Sequence, residues 1–232
     1  MRPRRVVAVV GTGTDIGKTW VSAHLLTELR ASGLRVAARK PAQSFGSDDD
    51  PAGLDAAVLG AATAEPPEQV CPPHRWYEIP MAPPMAAEAL GRPPFTIRDL
   101  ASELHWPDGE TLDVGLVETA GGLRSPLAAD GDCLGFCDAI APDVVVLVAD
   151  AGLGTINTVR LTLDALHHAP AAPVAPAAPV APTPIPTPVV LNRYDPAVSL
   201  HVRNREWLQA RDGLTVVTMP GGESELAEII TA

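Results

Sequence analysis

The stretch Val6-Val7-Ala8-Val9-Val10-Gly11-Thr12-Gly13-Thr14-Asp15-Ile16-Gly17-Lys18-Thr19 decides the fold. Its apolar start reads as a buried strand. The small residues that follow let the backbone curl until its N–H groups converge on an anion, and the helix beyond adds the partial positive charge of its N-terminus. In such a phosphate-binding loop Lys18 lies beside the β- and γ-phosphates of a nucleotide, and the Thr19 hydroxyl ligates Mg²⁺. The strict pattern wants glycine five residues before Gly17, where this chain has Thr12 between Gly11 and Gly13, so the loop is a variant. The bland alternative, a glycine-rich turn that binds nothing, is the weaker reading because Gly17-Lys18-Thr19 sits at a strand-to-helix junction.

Working outward, residues 18–31 carry Val21, Leu25, Leu26 and Leu29 at helical spacing, with Gly33 as the stop. Residues 34–38 read as a second strand, completing a β-loop-α-β unit that favours a parallel sheet. Lys40 follows that strand. Ligands of open parallel sheets collect at the carboxyl ends of strands, so Lys18 and Lys40, the only two lysines in the chain, are expected to face one crevice. An acidic loop, Ser47-Asp48-Asp49-Asp50, precedes a short helix over 51–62 that carries Asp55. Residues 65–84 are proline-rich and read as mostly irregular, with helices over 85–90 and 96–105. A strand over 113–117 ends in Glu118, the position from which an acid reaches Mg²⁺ directly or through water. The most apolar strand, 144–149, ends in Asp150 and the loop Gly152-Leu153-Gly154; a helix beginning at Thr155 offers a second N-terminus for an anion. A strand over 189–191 ends in Asn192, a helix spans about 197–210, and the last strand covers 214–217. The pattern predicts a single doubly wound, mostly parallel α/β sheet with helices on both faces.

Composition narrows the function. A chain of 232 residues, 46% hydrophobic, buries one sizeable core. Its formal charge of −11, from 28 acidic and 17 basic residues, opposes nonspecific binding to nucleic acid or anionic lipid. Neither a membrane span nor a signal peptide fits, so the expected location is the cytoplasm. The three cysteines, Cys71, Cys133 and Cys137, lack a metal-binding spacing and read as buried, reduced thiols. Over residues 169–188 the unit Pro-Ala-Ala-Pro-Val-Ala occurs at 170 and again at 176, and eight of the twenty residues are proline. Such a tract lacks ladder donors, so a surface insertion of polyproline character is expected.

With the phosphate loop, Lys40-Pro41, Asp55, Glu118 and Gly152-Leu153-Gly154-Thr155-Ile156-Asn157 in this order, the chain resembles the dethiobiotin synthetase family of the P-loop NTPase superfamily. The match covers most of residues 5–168 and is weaker after the proline tract. The resemblance implies an ATP-dependent cyclo-ligase that closes a cyclic urea from 7,8-diaminononanoate and CO₂, usually as a homodimer with the diamine site at the subunit interface. It implies that Gly13, Thr14, Asp15, Ile16, Gly17, Lys18 and Thr19 hold ATP, that Thr19, Asp55 and Glu118 hold Mg²⁺, and that Lys40, Lys18 and Thr14 serve catalysis. By the same resemblance Ser44 contacts the diamine or its carbamate, Gly154, Thr155, Ile156 and Asn157 receive the distal carboxylate from the other subunit, and Asn192 recognises adenine. Plainer readings stand beside these: Lys40 as an ordinary surface lysine, Asp55 as a solvated acid, Ser44 as a loop serine.

The chain departs from the family in Glu118-Thr119-Ala120-Gly121-Gly122, with a β-branched residue where glycine is usual, and in Thr158 and Met85, where histidine is common. These departures bear on the acceptor more than on ATP. Three other readings remain open: a relative acting on another carboxylate or carbamate, a dimerising partition-type ATPase switch, and a degenerate ATP-binding scaffold. Partition-type switches usually carry a further lysine five residues before the loop lysine, where this chain has Gly13.

Overall fold

The computed structural model describes residues 1–109, 111–167 and 185–232. Its strands are β1 (Arg5–Gly11), β2 (Val36–Arg39), β3 (Gln43–Ser44), β4 (Trp76–Tyr77), β5 (Val114–Glu118), β6 (Pro126–Ala128), β7 (Gly131–Asp132), β8 (Val144–Asp150), β9 (Val189–Asn192) and β10 (Val216–Thr218). Its helices are α1 (Lys18–Ala31), α2 (Asp55–Thr63), α3 (Pro67–Val70), α4 (Pro83–Ala89), α5 (Ile97–Ser102), α6 (Cys133–Ile140), α7 (Thr155–His167), α8 (Ser199–Ala210) and α9 (Glu223–Thr231).

Six strands form one sheet in the order β10-β9-β8-β1-β5-β2, and every neighbouring pair is parallel. Parallel strands buried on both faces need apolar side chains at successive positions, which is why β1 and β8 read as unbroken valine-rich runs. Val7 and Val9 pack with Leu25, Leu26 and Leu29 of α1, Leu59 of α2 and Ile230 of α9. Ala8 and Val10 point the other way, into a core with Leu134 of α6, Val159 and Leu163 of α7 and Leu208 of α8. The sheet is therefore doubly wound, as expected. Chain order reverses between β1 and β8, and the carboxyl ends of these strands open the crevice in which such folds bind ligands.

Element ends differ from expectation where a glycine closes a helix. Gly33 adopts φ +83°, and Leu34 N–H returns to the Leu29 carbonyl at 3.1 Å, so residue 34 ends α1 and β2 begins only at Val36. Gly213 and Leu214 do the same for α8, which moves the last strand to Val216–Thr218. The helix expected over 96–105 contracts to Ile97–Ser102, opened by a capping box between Thr96 and Asp99. The segment read as mostly irregular contains α3 and β4; β4 pairs in parallel with β3, Gln43 opposite Trp76 and Ser44 opposite Tyr77.

Most of the proline tract lies outside the described residues. At its end, the Pro186 and Pro188 carbonyls accept hydrogen bonds from Val145 and Leu147, both at 3.0 Å. Prolines that donate nothing can still accept, and these lead directly into β9. No described helix is long and apolar enough to cross a membrane.

Leu25 is fully buried between α1 and the sheet. Leu25→Ala should lower the unfolding free energy by about 2–5 kcal/mol, read as a shift of the urea midpoint with an unchanged slope.

Candidate active site

Strand register builds the centre of the crevice. Arg39 of β2 lies opposite Val117 of β5, so the next residues, Lys40 and Glu118, come out side by side. Glu118 in turn lies opposite Val9 of β1. Alternation sends Lys40 and Glu118 to the face that carries Ala38, Leu116 and α1. There the Lys40 Nζ is 2.8 Å from Glu118 Oε1 and 2.6 Å from Asp55 Oδ2, and it donates to the Thr119 carbonyl at 3.3 Å. The Thr19 hydroxyl lies 2.6 Å from Asp55 Oδ1 and 2.8 Å from Glu118 Oε1, and Ser22 donates to Glu118 Oε2 at 2.7 Å. Residues from five elements and connections thus meet around Glu118, which has no exposed surface, and Lys40, which is 3% exposed.

The two lysines are tuned in opposite directions. Burial works against the Lys40 charge, but Asp55 and Glu118 outweigh it and raise its pKa above the ordinary lysine value. Lys18 is also buried; desolvation and the neighbouring Lys40 charge lower its pKa. Burial would raise the Asp55 pKa, yet the charge and hydrogen bond of Lys40 and the Thr19 hydroxyl bring it below the usual carboxylate value. Lys40 is therefore no surface lysine, and Asp55 is no free solvated acid.

The phosphate loop is fastened both from within and from outside. Lys18 Nζ donates to the Gly13 carbonyl at 3.2 Å, closing the loop over its own lysine. The Asn192 side chain, at the end of β9, donates to the Ile16 carbonyl at 2.8 Å. Gly17 adopts φ +88°, and a Cβ there would stand 2.1 Å from Asn192 Nδ2, so this position requires glycine on both counts. Asp15 is exposed with φ +57°, and the Thr14 side chain lies near Gly121.

Among the buried hydroxyls without a partner are Ser44 Oγ, in β3 after β2, and Thr155 Oγ1, at the start of α7 after β8. Such groups are costly unless something supplies a bond. Thr155 opens α7 behind Gly154, whose φ is +91°. Ile156 is half-buried behind it, and Asn157 is exposed. Leu153, between the two loop glycines, is 92% exposed.

The departures find local explanations. Thr119 lies outside the positive-φ region; its hydroxyl donates to the Val9 carbonyl at 3.1 Å, so a β-branched residue fits and fastens the loop to β1. Thr158 bonds back within α7, to the Thr155 carbonyl at 3.1 Å. Met85 lies exposed on α4. Desolvation pushes the thiols of Cys71 and Cys137 up to about 12 and that of Cys133 up to about 11, in keeping with inert buried cysteines.

Sequence reading missed three contributors. Ser22 follows Thr19 by three residues and therefore shares its helix face, a signal available in the spacing. Gln43 is buried with its Oε1 on the Ala56 N–H and its Nε2 without a partner. Arg193 bonds to both the phosphate loop and Asp150. A cavity of about 450 Å³ borders the segment Arg39-Lys40-Pro41 and is lined also by Glu103 and Trp106 among others. Arg39 is tied to Glu65 and Glu103 to Arg75 there, so the convergent reactive groups belong to the crevice.

Comparison with known proteins places the chain among its relatives. A family model described as an AAA domain matches residues 5–217. The chain is 36% identical over 159 residues to the ATP-dependent dethiobiotin synthetase BioD of Caulobacter vibrioides (strain NA1000 / CB15N), covering 68% of this chain and 72% of that protein. It is 38% identical over 165 residues to the protein of the same name from Rhodococcus jostii (strain RHA1), covering 71% and 68%. Among solved structures it resembles a ParA family ATPase from Chlorobium tepidum TLS, with a TM-score of 0.53, 13% identity, and coverage of 98% of this chain and 88% of that one. At that identity the likeness is one of fold.

Two outcomes follow from the site. Gly17→Ala should abolish detectable nucleotide binding in a calorimetric titration, because the loop cannot keep its shape with a Cβ at Asn192. A depressed Asp55 pKa means stability present above the ordinary carboxylate value and lost as pH falls through the folded value. In metal-free buffer the difference in unfolding free energy between wild type and Asp55→Asn should stay constant from about pH 6 to about pH 9 and shrink below about pH 4.

Proposed function

Since the chain belongs to the dethiobiotin synthetase family of ATP-dependent ligases, we propose that it converts 7,8-diaminononanoate, CO₂ and ATP into a cyclic urea, ADP and phosphate. The observation that carries the mechanism is the Lys40 ammonium held between two carboxylates beside the first turn of α1. One amine captures CO₂ as a carbamate, ATP phosphorylates the carbamate to a carbamic–phosphoric anhydride, and the second amine displaces phosphate as the ring closes. Each step gathers or moves negative charge, so fixed cationic groups and N–H donors stabilise its transition state.

In this reading Lys18 and the loop amides of residues 13–19 bind the phosphates, and the loop places Thr14 beside the reacting groups. Lys40 brings the carbamate oxygen and the transferring phosphoryl group together. Thr19, Asp55 and Glu118 fit Mg²⁺ on their chemistry: all are hard oxygen donors, and the single Thr19 proton cannot serve both carboxylates that face it. Bound there, Mg²⁺ would neutralise charge developing on the phosphates. The unpartnered Ser44 hydroxyl supports a contact to the diamine or carbamate. The unpartnered Thr155 hydroxyl, at the start of α7 with Gly154, Ile156 and Asn157, supports reception of the distal carboxylate. Asn192 keeps one amide N–H and its carbonyl oxygen for adenine after bonding Ile16. Exposed Leu153 and Leu161 suit burial against a second copy, and the reading places a homodimer in the cytoplasm.

Phosphate release from MgATP and bicarbonate, with and without 7,8-diaminononanoate and with mass detection of the product, tests the proposal. Diamine-dependent release with a cyclic urea is expected; nucleotide binding without such release contradicts the acceptor. Lys40→Gln should lower kcat by about 10²–10³-fold while the MgATP dissociation constant changes by less than about threefold.

A further inference from the structure

We infer that Arg193 is a positioning residue that ties the phosphate loop to the loop before α7, so that filling the nucleotide site orders the second anion site. The part concerning the second site rests on the functional reading above. Arg193 follows β9 directly and holds φ +56°, a left-handed conformation that favours glycine or asparagine over arginine. Its side chain supplies what glycine would lack. One guanidinium nitrogen donates to the Asp15 carbonyl in the phosphate loop, and the other lies 3.1 Å from Asp150 Oδ2. The second oxygen of that carboxylate accepts from Gly152 N–H at 2.8 Å and so shapes the turn into α7.

The neighbouring residue bridges the same two loops. Asn192 donates from its side chain to the Ile16 carbonyl at 2.8 Å and accepts at its backbone carbonyl from Ala151 N–H at 3.0 Å. Asn204 anchors the far side, donating to the Ala151 and Gly152 carbonyls, both at 2.9 Å. Consecutive residues at one strand end thus clasp the loops after β1 and β8. The rigid forked guanidinium suits Arg193 to engaging a carbonyl and a carboxylate together.

The side chains of Arg193 and Asp150 are 59% and 44% exposed, and ion pairs of that kind add little to global stability. Their removal should therefore loosen the connection and leave the fold intact. Linkage then requires that whatever steadies one loop through the clasp steadies the other.

Amide hydrogen exchange on the whole protein, with and without MgADP, tests this without any turnover. In wild type MgADP should slow exchange at residues 13–17 and also at 151–156. In Arg193→Ala the melting temperature should move by less than about 3 °C, protection at 13–17 should persist, and protection at 151–156 should fall at least about threefold. Asp150→Ala should reproduce that loss, and the double variant should be no worse than either single one. Full protection of 151–156 in Arg193→Ala, no protection there in wild type, or additive losses would each overturn the clasp. Because no diamine is used, a failed ligase assay leaves this result decisive by itself.

Discussion

The ion pair linking Lys40 to Glu118 and Asp55 is the constraint on which the rest of the site depends. Glu118 is wholly buried, and an unpaired charge there would cost several kcal/mol. Its compensation comes from Lys40 after β2 and from Thr19 and Ser22 in α1. Those partners are distant in sequence, so the strand register that brings them together is part of the chemistry. A slip of one residue between β2 and β5 would turn Lys40 to the opposite face, leaving the carboxylate without its cation.

The doubly wound sheet supplies that precision. Strands packed on both sides by apolar side chains cannot shift singly, and their carboxyl ends present short connections to one crevice. The phosphate loop follows β1, Lys40 follows β2, Glu118 ends β5, the loop into α7 follows β8, and Asn192 ends β9. The proposed ligase reaction would need several groups around one migrating phosphoryl, and strand ends are where this fold can hold them still.

Much of this was legible in the sequence because the decisive features are local. The apolar run into Gly17-Lys18-Thr19 specifies strand, loop and helix within fifteen residues, and acids at the ends of apolar strands stand out. Boundaries blurred where glycine closed a helix through a bond to an earlier carbonyl, as at Leu34 and Leu214, since hydrophobic periodicity does not report such bonds. The β3–β4 pair was hidden because two-residue strands have no period. The burial of Lys40 depends on pairing across 78 residues to Glu118, which left its solvated reading open from sequence alone. Arg193 gave no local signal, since its role comes from two loops that only the tertiary structure brings near it.

With only two lysines in the chain, ¹⁵Nζ-lysine NMR can follow both as pH is raised in the metal-free protein, a Lys18→Arg variant assigning the signals. Lys40 should keep its proton beyond the ordinary lysine value of 10.5, and Lys18 should lose its proton below it. Two lysines titrating together near that ordinary value, or Lys40 titrating first, would contradict the buried cluster and the placement of Lys40 built on it.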